Sequence, residues 1–186
     1  MKMNKMLMLI CGLALGSQLA AQQPRYELIW QEDFDGNTFN ETYWSKIPRG
    51  NADWNRHMSD ESSLYEVKDG NLTLRGKVNN GIAPQDTARY ITGGLYTKDK
   101  KTITYGKIEI KAKLQAAQGA WPAFWMLPNV GTWPDGGEID IMERLNHDSI
   151  AYQTIHSYYT HVLKEENNPP HGCLLYTSPS PRDRTR

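Results

Sequence analysis

Apolar and polar residues alternate over several short stretches of the chain, which is the pattern of half-buried β-strands. Apolar side chains fill every second position of residues 107–114, KIEIKAKL, and charged side chains fill the positions between them. Residues 65–76, YEVKDGNLTLRG, hold two alternating runs on either side of Asp69-Gly70, and both turn residues tolerate positive φ. The pattern predicts a strand over the first stretch and a β-hairpin over the second.

Three further runs complete the predicted strands: residues 27–34, 89–98 and 151–160. No window has a capped 3.6-residue apolar stripe, so we expect no substantial helix. Many short antiparallel strands separated by turn residues predict an all-β fold, a β-sandwich or jelly roll. Residues 25–172 contain no repeat and no linker, which favours one domain over that range.

The first residues have the features of a secretory signal peptide. Met1 to Lys5 carries two lysines, an apolar run too short to cross a bilayer follows, and small and polar residues come next. We therefore interpret residues 1–21 as a signal peptide, and expect a secreted protein, periplasmic or extracellular, with no membrane span.

The last residues differ in composition from everything before them. Residues 173–183, CLLYTSPSPRD, resemble the conceptual translation of a transposase adapter used in sequencing libraries. We predict that residues 173–186 are a non-native tail, the alternative being a disordered segment rich in Pro, Ser and Arg. With Cys11 in the signal peptide and Cys173 in this tail, residues 25–172 have no cysteine for a disulfide or a thiolate metal site.

Charge and aromatic content narrow the function classes. Lys and Arg number 21, as do Asp and Glu, so no basic field favours binding to nucleic acid or to an anionic membrane. Six Trp and ten Tyr stand against only three Phe. Rings with a polar group suit wet, amphipathic surfaces, although they also fill β-rich cores.

Three carboxylates lie close together in residues 134–148, PDGGEIDIMERLNHD, which otherwise has the pattern of a buried strand. Glu138 and Asp140 are two positions apart and share one face of a strand, whereas Glu143 falls on the other face. A β-bulge at residues 141–142 would return Glu143 to the face of the other acids, because two residues then oppose one on the neighbouring strand. The spacing predicts this bulge.

Such a bulge would place the acids in the arrangement of a catalytic carboxyl pair. The backbones of Glu138 and Glu143 would lie about 13 Å apart, and inward-leaning side chains would bring their carboxyls to the roughly 5–5.5 Å of a retaining glycosidase. Asp140 would share a proton with a neighbour, so we expect one member of the group to stay protonated near neutral pH. The pattern is also typical of the solvated side of an amphipathic element, and three carboxylates could hold Ca²⁺.

Four motifs connect these acids to a known family. They are WQEDFDG, YGKIEIKAKL, GAWPAFWMLP and GGEIDIMERLNHD, in this order along the chain. Over residues 26–161 the chain resembles glycoside hydrolase family 16, and it is most similar to the laminarinase-type endo-β-1,3-glucanases. The resemblance implies a concanavalin-like jelly-roll β-sandwich and a retaining mechanism. It also implies that Glu138 is the nucleophile, Asp140 the assisting acid and Glu143 the general acid/base.

The resemblance further implies that catalysis needs no cofactor and that no metal binds the three acids. A structural Ca²⁺ away from the cleft is expected, bound partly near the EDFDG segment and partly by a late strand. Residues 25–172 lack that late strand, so we predict a catalytic domain that is incomplete at its C-terminus. Its unpaired strand edges would make the chain fold poorly by itself, so we assign activity to the parent protein and not to this chain alone.

Aromatic motif positions predict the substrate contacts. The resemblance matches Trp121, Trp125 and Trp133 to cleft tryptophans, whose flat rings would stack on sugar faces; a core role is the alternative for the first two. His156, on the strand after the acids, is expected either to face the cleft and contact substrate or a carboxylate, or to be a satisfied sheet histidine.

The first hypothesis is therefore a secreted, monomeric endo-glycosidase that hydrolyses β-1,3- or mixed β-1,3/1,4-glucan by double displacement. A second hypothesis keeps the mechanism but takes algal galactans such as agar or carrageenan, which would require basic side chains in the cleft. A third is a non-catalytic β-glucan-binding module, although such relatives typically lose the glutamates.

Overall fold

The computed structural model describes residues 26–164 and 174–176, so the predicted signal peptide and most of the predicted tail lie outside the described residues. The chain divides into two compact units, residues 1–30 and 31–186. Only residues 26–30 of the first unit are described. All elements below belong to the second unit.

Short antiparallel strands make up the second unit, as the alternation predicted. The described strands are β1 (Ser45–Lys46), β2 (Tyr65–Lys68), β3 (Asn71–Leu74), β4 (Gly76–Val78), β5 (Tyr90–Thr92), β6 (Leu95–Tyr96), β7 (Ala123–Met126), β8 (Glu138–Glu143), β9 (Ile150–His156) and β10 (Leu174–Tyr176). Helical structure in the described part of the chain is limited to a 3₁₀ turn, Ser62–Leu64, and a π-turn, Tyr159–Leu163. The all-β prediction is confirmed.

The strands form four small sheets. Three of them are two-stranded and pair β1 with β6, β2 with β3, and β4 with β5. The fourth is antiparallel and has the order β10-β9-β8-β7. In β10 the backbone of residues 174–176 pairs with residues 150–152 of β9. The proposed non-native origin of the tail stays a prediction.

The predicted hairpin is present. Strands β2 and β3 pair from Tyr65↔Leu74 to Lys68↔Asn71, and the turn residues Asp69 and Gly70 have φ values of 52° and 69°. Two consecutive positive φ values match the right-handed twist of the flanking strands.

Two glycines divide the strand that was predicted over residues 89–98 into β5 and β6. A Cβ on Gly93 would lie 2.9 Å from the carbonyl oxygen of Leu64, and one on Gly94 would lie 2.9 Å from the sulfur of Met58. The backbone therefore passes so close to its neighbours that side chains do not fit. Leu64 and Ile91, both 0% exposed, form the buried centre of this region.

Two strand predictions are wrong. Residues 27–34 contain no strand, and Leu28 and Ile29 are 74% and 73% exposed. Residues 107–114 also contain no strand, because alternation identifies a face but not a partner for the backbone hydrogen bonds. The apolar face of this segment is not buried, since Ile108 and Ile110 are 36% and 44% exposed. The four apolar residues of that segment line a cavity of about 630 Å³ together with apolar side chains of β7, β8 and β9: Ile108, Ile110, Ala112, Leu114, Phe124, Ile141, Met142, Ile150 and Ala151.

The ends of β9 differ from the predicted run of residues 151–160. The strand ends at His156, and the chain turns at once into the π-turn.

None of the helical segments among the described residues has the length and the apolar character of a bilayer-spanning helix.

Candidate active site

The predicted bulge lies in β8. On the β9 side, Asp140 pairs with Thr154 and Glu143 pairs with Tyr152, so residues 141 and 142 oppose the single residue Gln153. On the β7 side the register shifts as well, because Trp125 pairs with Asp140 and Phe124 with Met142. Ile141 is thus the extra residue in that pairing. The prediction of a bulge after Asp140 is confirmed.

The bulge puts the three acids on one face of the sheet. Directly opposed residues of an antiparallel pair share a face. Glu138, Asp140 and Glu143 pair with the alternate β9 residues His156, Thr154 and Tyr152, and alternate residues of a strand share a face. Glu143 therefore points to the same side as the other two acids. In a regular strand the spacing would put Glu143 on the opposite face from Glu138 and Asp140. The one extra residue of the bulge returns it to their face.

Asp140 is the acid that keeps a proton near neutral pH. It is only 4% exposed. Burial, the charges of Glu143 and Glu138, and a hydrogen bond with Glu138 raise the pKa of Asp140 from 3.8 to about 7. Burial penalises the charged form, and two neighbouring carboxylates penalise it further. A pKa of about 7 leaves Asp140 partly protonated at neutral pH, so the middle acid is the one that fits the expectation of a retained proton.

His156 reaches the same carboxyl from β9. Its Nε2 lies 3.0 Å from Oδ2 of Asp140. Within the described residues, however, no donor is aligned on this oxygen well enough for a hydrogen bond. We interpret the pair as a close contact that leaves Oδ2 as a buried acceptor with capacity to spare. Of the two roles predicted for His156, the contact with a carboxylate is the one that the geometry contains.

The two outer acids each accept a hydrogen bond from an indole. Nε1 of Trp133 donates to Oε2 of Glu138 over 2.6 Å, and Nε1 of Trp121 donates to Oε1 of Glu143 over 2.7 Å. Both rings are about half exposed, 55% and 48%. A ring anchored by its N–H still offers a face to solvent, so stacking on sugar rings stays a prediction for both residues.

A tight loop carries Trp133 back to Glu138. Gly136 donates its N–H to the carbonyl of Thr132 over 2.8 Å, and Gly137 donates to that of Pro134 over 3.0 Å. Gly137 has a φ of 83°, in the left-handed region that glycine adopts without a steric penalty. The GTWPDGG segment is thus a turn that returns its indole to the start of β8.

Trp125 lies beside the middle acid, with a second tryptophan against it. Trp125 and Asp140 are directly opposed, so the half-buried indole is on the face of the acids. The ring of Trp54 packs edge-on against it, with centroids 4.8 Å apart and planes at 72°. Trp54 is 38% exposed. The aromatic corner, as we call Trp54 and Trp125, is therefore next to the acids and open to solvent.

The sequence analysis did not identify Trp54 or His161 as site residues. Trp54 lies in a turn-rich segment with no alternation, and the only signal was a large aromatic residue among turn formers. His161 lies in the π-turn, with its ring centroid 4.7 Å from that of His156 and 4.7 Å from that of Trp133. Both residues join the site through contacts that no local pattern reveals.

Three site groups could also hold a divalent cation. Glu138, Asp140 and His156 each offer one ligand atom, and these atoms lie within 4.8 Å of one another. Carboxylate and imidazole ligands suit several divalent metals. A cation there would occupy two of the three acids and so would exclude their use on a sugar. The assignment of no metal to the acids stays a prediction, as does a structural Ca²⁺ elsewhere.

Known proteins resemble this chain over the site and beyond it. The family model described as the XgeA-like catalytic domain of glycoside hydrolase family 16 matches residues 99–174. The keratan-sulfate endo-1,4-beta-galactosidase of Sphingobacterium multivorum is 41% identical over 137 residues, covering 71% of this chain and 32% of that protein. The beta-glucanase of Rhodothermus marinus is 30% identical over 185 residues, covering 88% and 63%.

A solved structure extends the likeness to the fold. The catalytic domain of an endo-1,3-beta-glucanase (laminarinase) from Thermotoga petrophila RKU-1 matches with a TM-score of 0.67 and 29% identity, over 84% of this chain and 64% of that chain. Laminarinases of this kind have a jelly-roll sandwich, so that prediction is confirmed. The chain spans from 32% to 64% of the length of these relatives. In its acid trio, its bulged strand and its fold, the chain is similar to glycoside hydrolase family 16.

Proposed function

We propose that this chain is the catalytic region of a secreted endo-glycosidase that hydrolyses β-1,3- or mixed β-1,3/1,4-glucan with retention at the anomeric carbon. The observation that carries the proposal is the bulge in β8, which brings Glu138, Asp140 and Glu143 to one face with the middle acid buried. Two of the similar proteins are named as a beta-glucanase and a laminarinase, which supports a glucan substrate.

In the first step, a carboxylate oxygen of Glu138 attacks the anomeric carbon, and the bond from that carbon to the leaving oxygen breaks. Glu143 must be in its protonated form when substrate is bound, and it then gives this proton to the leaving oxygen. In the second step, Glu143 takes a proton from water, and the resulting hydroxide attacks the same carbon. The ester bond to Glu138 breaks, which restores the starting carboxylate, and two inversions give net retention.

The neighbouring groups assist these steps. The protonated carboxyl of Asp140 shares a hydrogen bond with Glu138 and therefore stabilises the negative charge that returns to Glu138 when the ester breaks. The indoles of Trp133 and Trp121 hold the two outer carboxylates in place by N–H donation. A fixed carboxylate loses less orientational freedom on reaching the reactive geometry.

Reducing-end release from laminarin and lichenan, measured on the full-length parent protein, tests the proposal. We expect cleavage of at least one of them, with the β-anomer formed first by NMR of the product. Glu138→Gln should abolish turnover while glucan binding persists. Glu143→Gln should still complete the first step on an aryl glycoside whose leaving group needs no proton, seen as a burst of released aryl alcohol, while the second step is slowed. Turnover by Glu138→Gln, or inversion at the anomeric carbon, would contradict the mechanism.

A second candidate substrate is a galactose-containing glycan. The identity to the keratan-sulfate endo-1,4-beta-galactosidase is 41%, against 30% for the beta-glucanase, although over fewer residues. Keratan sulfate and agarose therefore belong in the same assay, with Glu138→Gln as the common control. Cleavage of these glycans but not of laminarin or lichenan would replace the glucan as substrate and would leave the mechanism unchanged.

The location of the protein is also a proposal. A polysaccharide of this kind is outside the cell, and residues 1–21 have the charged, apolar and small-residue regions of a signal peptide. Fusion of these residues to a periplasmic reporter would test export. A reporter retained in the cytoplasm would contradict it.

A further inference from the structure

A row of side chains continues from the acids across β9 to the π-turn. His156, opposite Glu138 in the register, has its Nε2 3.0 Å from Oδ2 of Asp140. The other ring nitrogen of His156, Nδ1, is within hydrogen-bonding distance of Nε2 of His161. The ring of Trp133, whose N–H binds Glu138, packs against His161 with centroids 4.7 Å apart. The row thus runs from Asp140 through His156, His161 and Trp133 back to Glu138.

The π-turn holds His161 in this position through its backbone. Its N–H donates to the carbonyl of Ser157 over 3.0 Å. The Oγ1 of Thr160 accepts from the N–H of Ser157 over 3.0 Å and donates to the carbonyl of Ser157 over 3.1 Å. Single π-turns often occur at functional sites, because they aim a side chain that a regular helix would direct elsewhere. The ring of His161 is therefore presented to His156 by a hydrogen-bonded turn.

The protons of this row can be assigned from the chemistry of imidazole. A neutral histidine has one N–H and one lone pair. Nε2 of His156 faces a buried carboxyl oxygen at 3.0 Å, and the proton that Asp140 retains is engaged with Glu138. A bare Nε2 would bring two lone pairs together, so Nε2 carries the N–H. In the neutral ring Nδ1 of His156 then accepts, and Nε2 of His161 is the ring nitrogen within hydrogen-bonding distance that could donate to it.

We propose that His161 is a positioning residue, which locks His156 as the Nε2–H tautomer and so turns an N–H, rather than a lone pair, toward the buried oxygen of Asp140. The role of His161 in turnover rests on the proposed function. The tautomer does not depend on it. Without His161 the ring of His156 can flip or change tautomer, and a lone pair of the imidazole can then face the buried oxygen.

Two substitutions separate the N–H of His161 from its ring. His161→Phe keeps an aromatic ring against Trp133 but has no donor. His161→Gln keeps a donor near the position of Nε2 but has no ring. A purely structural role for the ring would make His161→Phe the milder change, whereas the positioning role makes His161→Gln the milder one.

The first measurement is ¹⁵N NMR of the full chain with labelled histidine, in buffer with EDTA. In the unsubstituted chain we expect the shifts of an Nε2–H tautomer for His156, with Nδ1 in the range of an unprotonated acceptor. His161→Phe should convert His156 to a tautomer mixture, and His161→Gln should restore the single tautomer. An Nδ1–H tautomer in the unsubstituted chain, or no change in His161→Phe, would overturn the proposal.

The second measurement is turnover of whichever glycan the chain cleaves. Loss of one oriented donor predicts a kcat lower by about five- to tenfold in His161→Phe, with KM nearly unchanged, and recovery in His161→Gln. An equal loss in both variants would overturn the role in turnover. If the chain cleaves none of the glycans, the proposed function fails, but the NMR result still decides the tautomer.

Discussion

The indole Nε1 of Trp133 donates a hydrogen bond to Oε2 of Glu138 over 2.6 Å, although the two residues belong to different elements, a loop and a strand. The proposed nucleophile is thereby oriented by a side chain that a sequence comparison would assign only to sugar stacking. Orientation of Glu138 and stacking on a sugar can be separated experimentally, because phenylalanine in place of Trp133 keeps a flat ring but has no N–H donor.

Trp133→Phe is expected to lower kcat by about ten- to a hundredfold, because a hydrogen bond to a charged group is stronger than one between neutral groups. KM should change by much less, since the ring face is retained. Steady-state kinetics on the cleaved glycan measures both constants. Trp125→Phe is the matched control, for which we expect the larger effect on KM. An effect of Trp133→Phe on KM alone would contradict the orienting role.

Trp54→Ala is expected to raise KM by about two- to tenfold, the range given by the loss of one aromatic pair. Its contact with Trp125 places it beside the acids without touching a reacting group, so kcat should change little. Isothermal titration with an oligosaccharide, using the inactive Glu138→Gln background, measures the binding loss directly. Trp54→Phe should keep most of the affinity. Unchanged affinity in Trp54→Ala would remove the aromatic corner from the binding surface.

Asp140→Asn is expected to increase the free energy of unfolding at pH 8. The folded pKa of about 7 exceeds the unfolded value of 3.8, so the folded state keeps a proton that the unfolded state loses. The stability of the unsubstituted chain therefore falls as pH rises from about 4 to about 7. The full shift corresponds to at most about 4 kcal/mol.

Urea denaturation of both chains from pH 4 to pH 8 tests this. The difference in the free energy of unfolding should be small at pH 4, grow to about pH 7 and then stay level. Other titrating groups are common to both chains and cancel in the difference. A difference that is constant over this range would contradict the raised pKa of Asp140. Turnover by Asp140→Asn should be reduced, because the shared proton with Glu138 is lost.

Gly94→Ala is expected to lower the free energy of unfolding by about 1–3 kcal/mol, the usual cost of overpacking. The added Cβ would lie 2.9 Å from the sulfur of Met58 and 3.0 Å from Cδ1 of Ile47. Gly76→Ala is the matched control, because its Cβ would meet only a methyl group of Thr92, at 3.4 Å. Equal denaturation midpoints for the two variants would show that the close approach at Gly94 is easily relieved.

The local sequence pattern predicted a strand correctly when the strand that pairs with it is its neighbour in the sequence. The hairpin of β2 and β3 follows from Asp69-Gly70, since a turn and its two strands are one local unit. Residues 107–114 have equally regular alternation but no strand. The pattern identified which side chains line the cavity, but whether the backbone pairs and the face is buried depends on what lies alongside it.

The spacing of the acids was the strongest prediction of the site. Side chains alternate strictly along a strand, so an acid trio with mismatched parity implies one extra residue wherever all three share a face. The register of β8 against β9 has that residue. Trp54 and His161 could not be predicted in this way, since each contacts the site from a segment with no periodicity.

By itself the sequence determined the all-β class, the hairpin turn and the need for a bulge after Asp140, because each follows from bond geometry over a few neighbouring residues. Tertiary structure decided which acid keeps its proton, which indole binds which glutamate, and that His161 reaches His156. These depend on burial and on side-chain contacts that no periodic pattern predicts, even where the two residues are only five positions apart. Burial and these side-chain contacts are set only when the strands pack together.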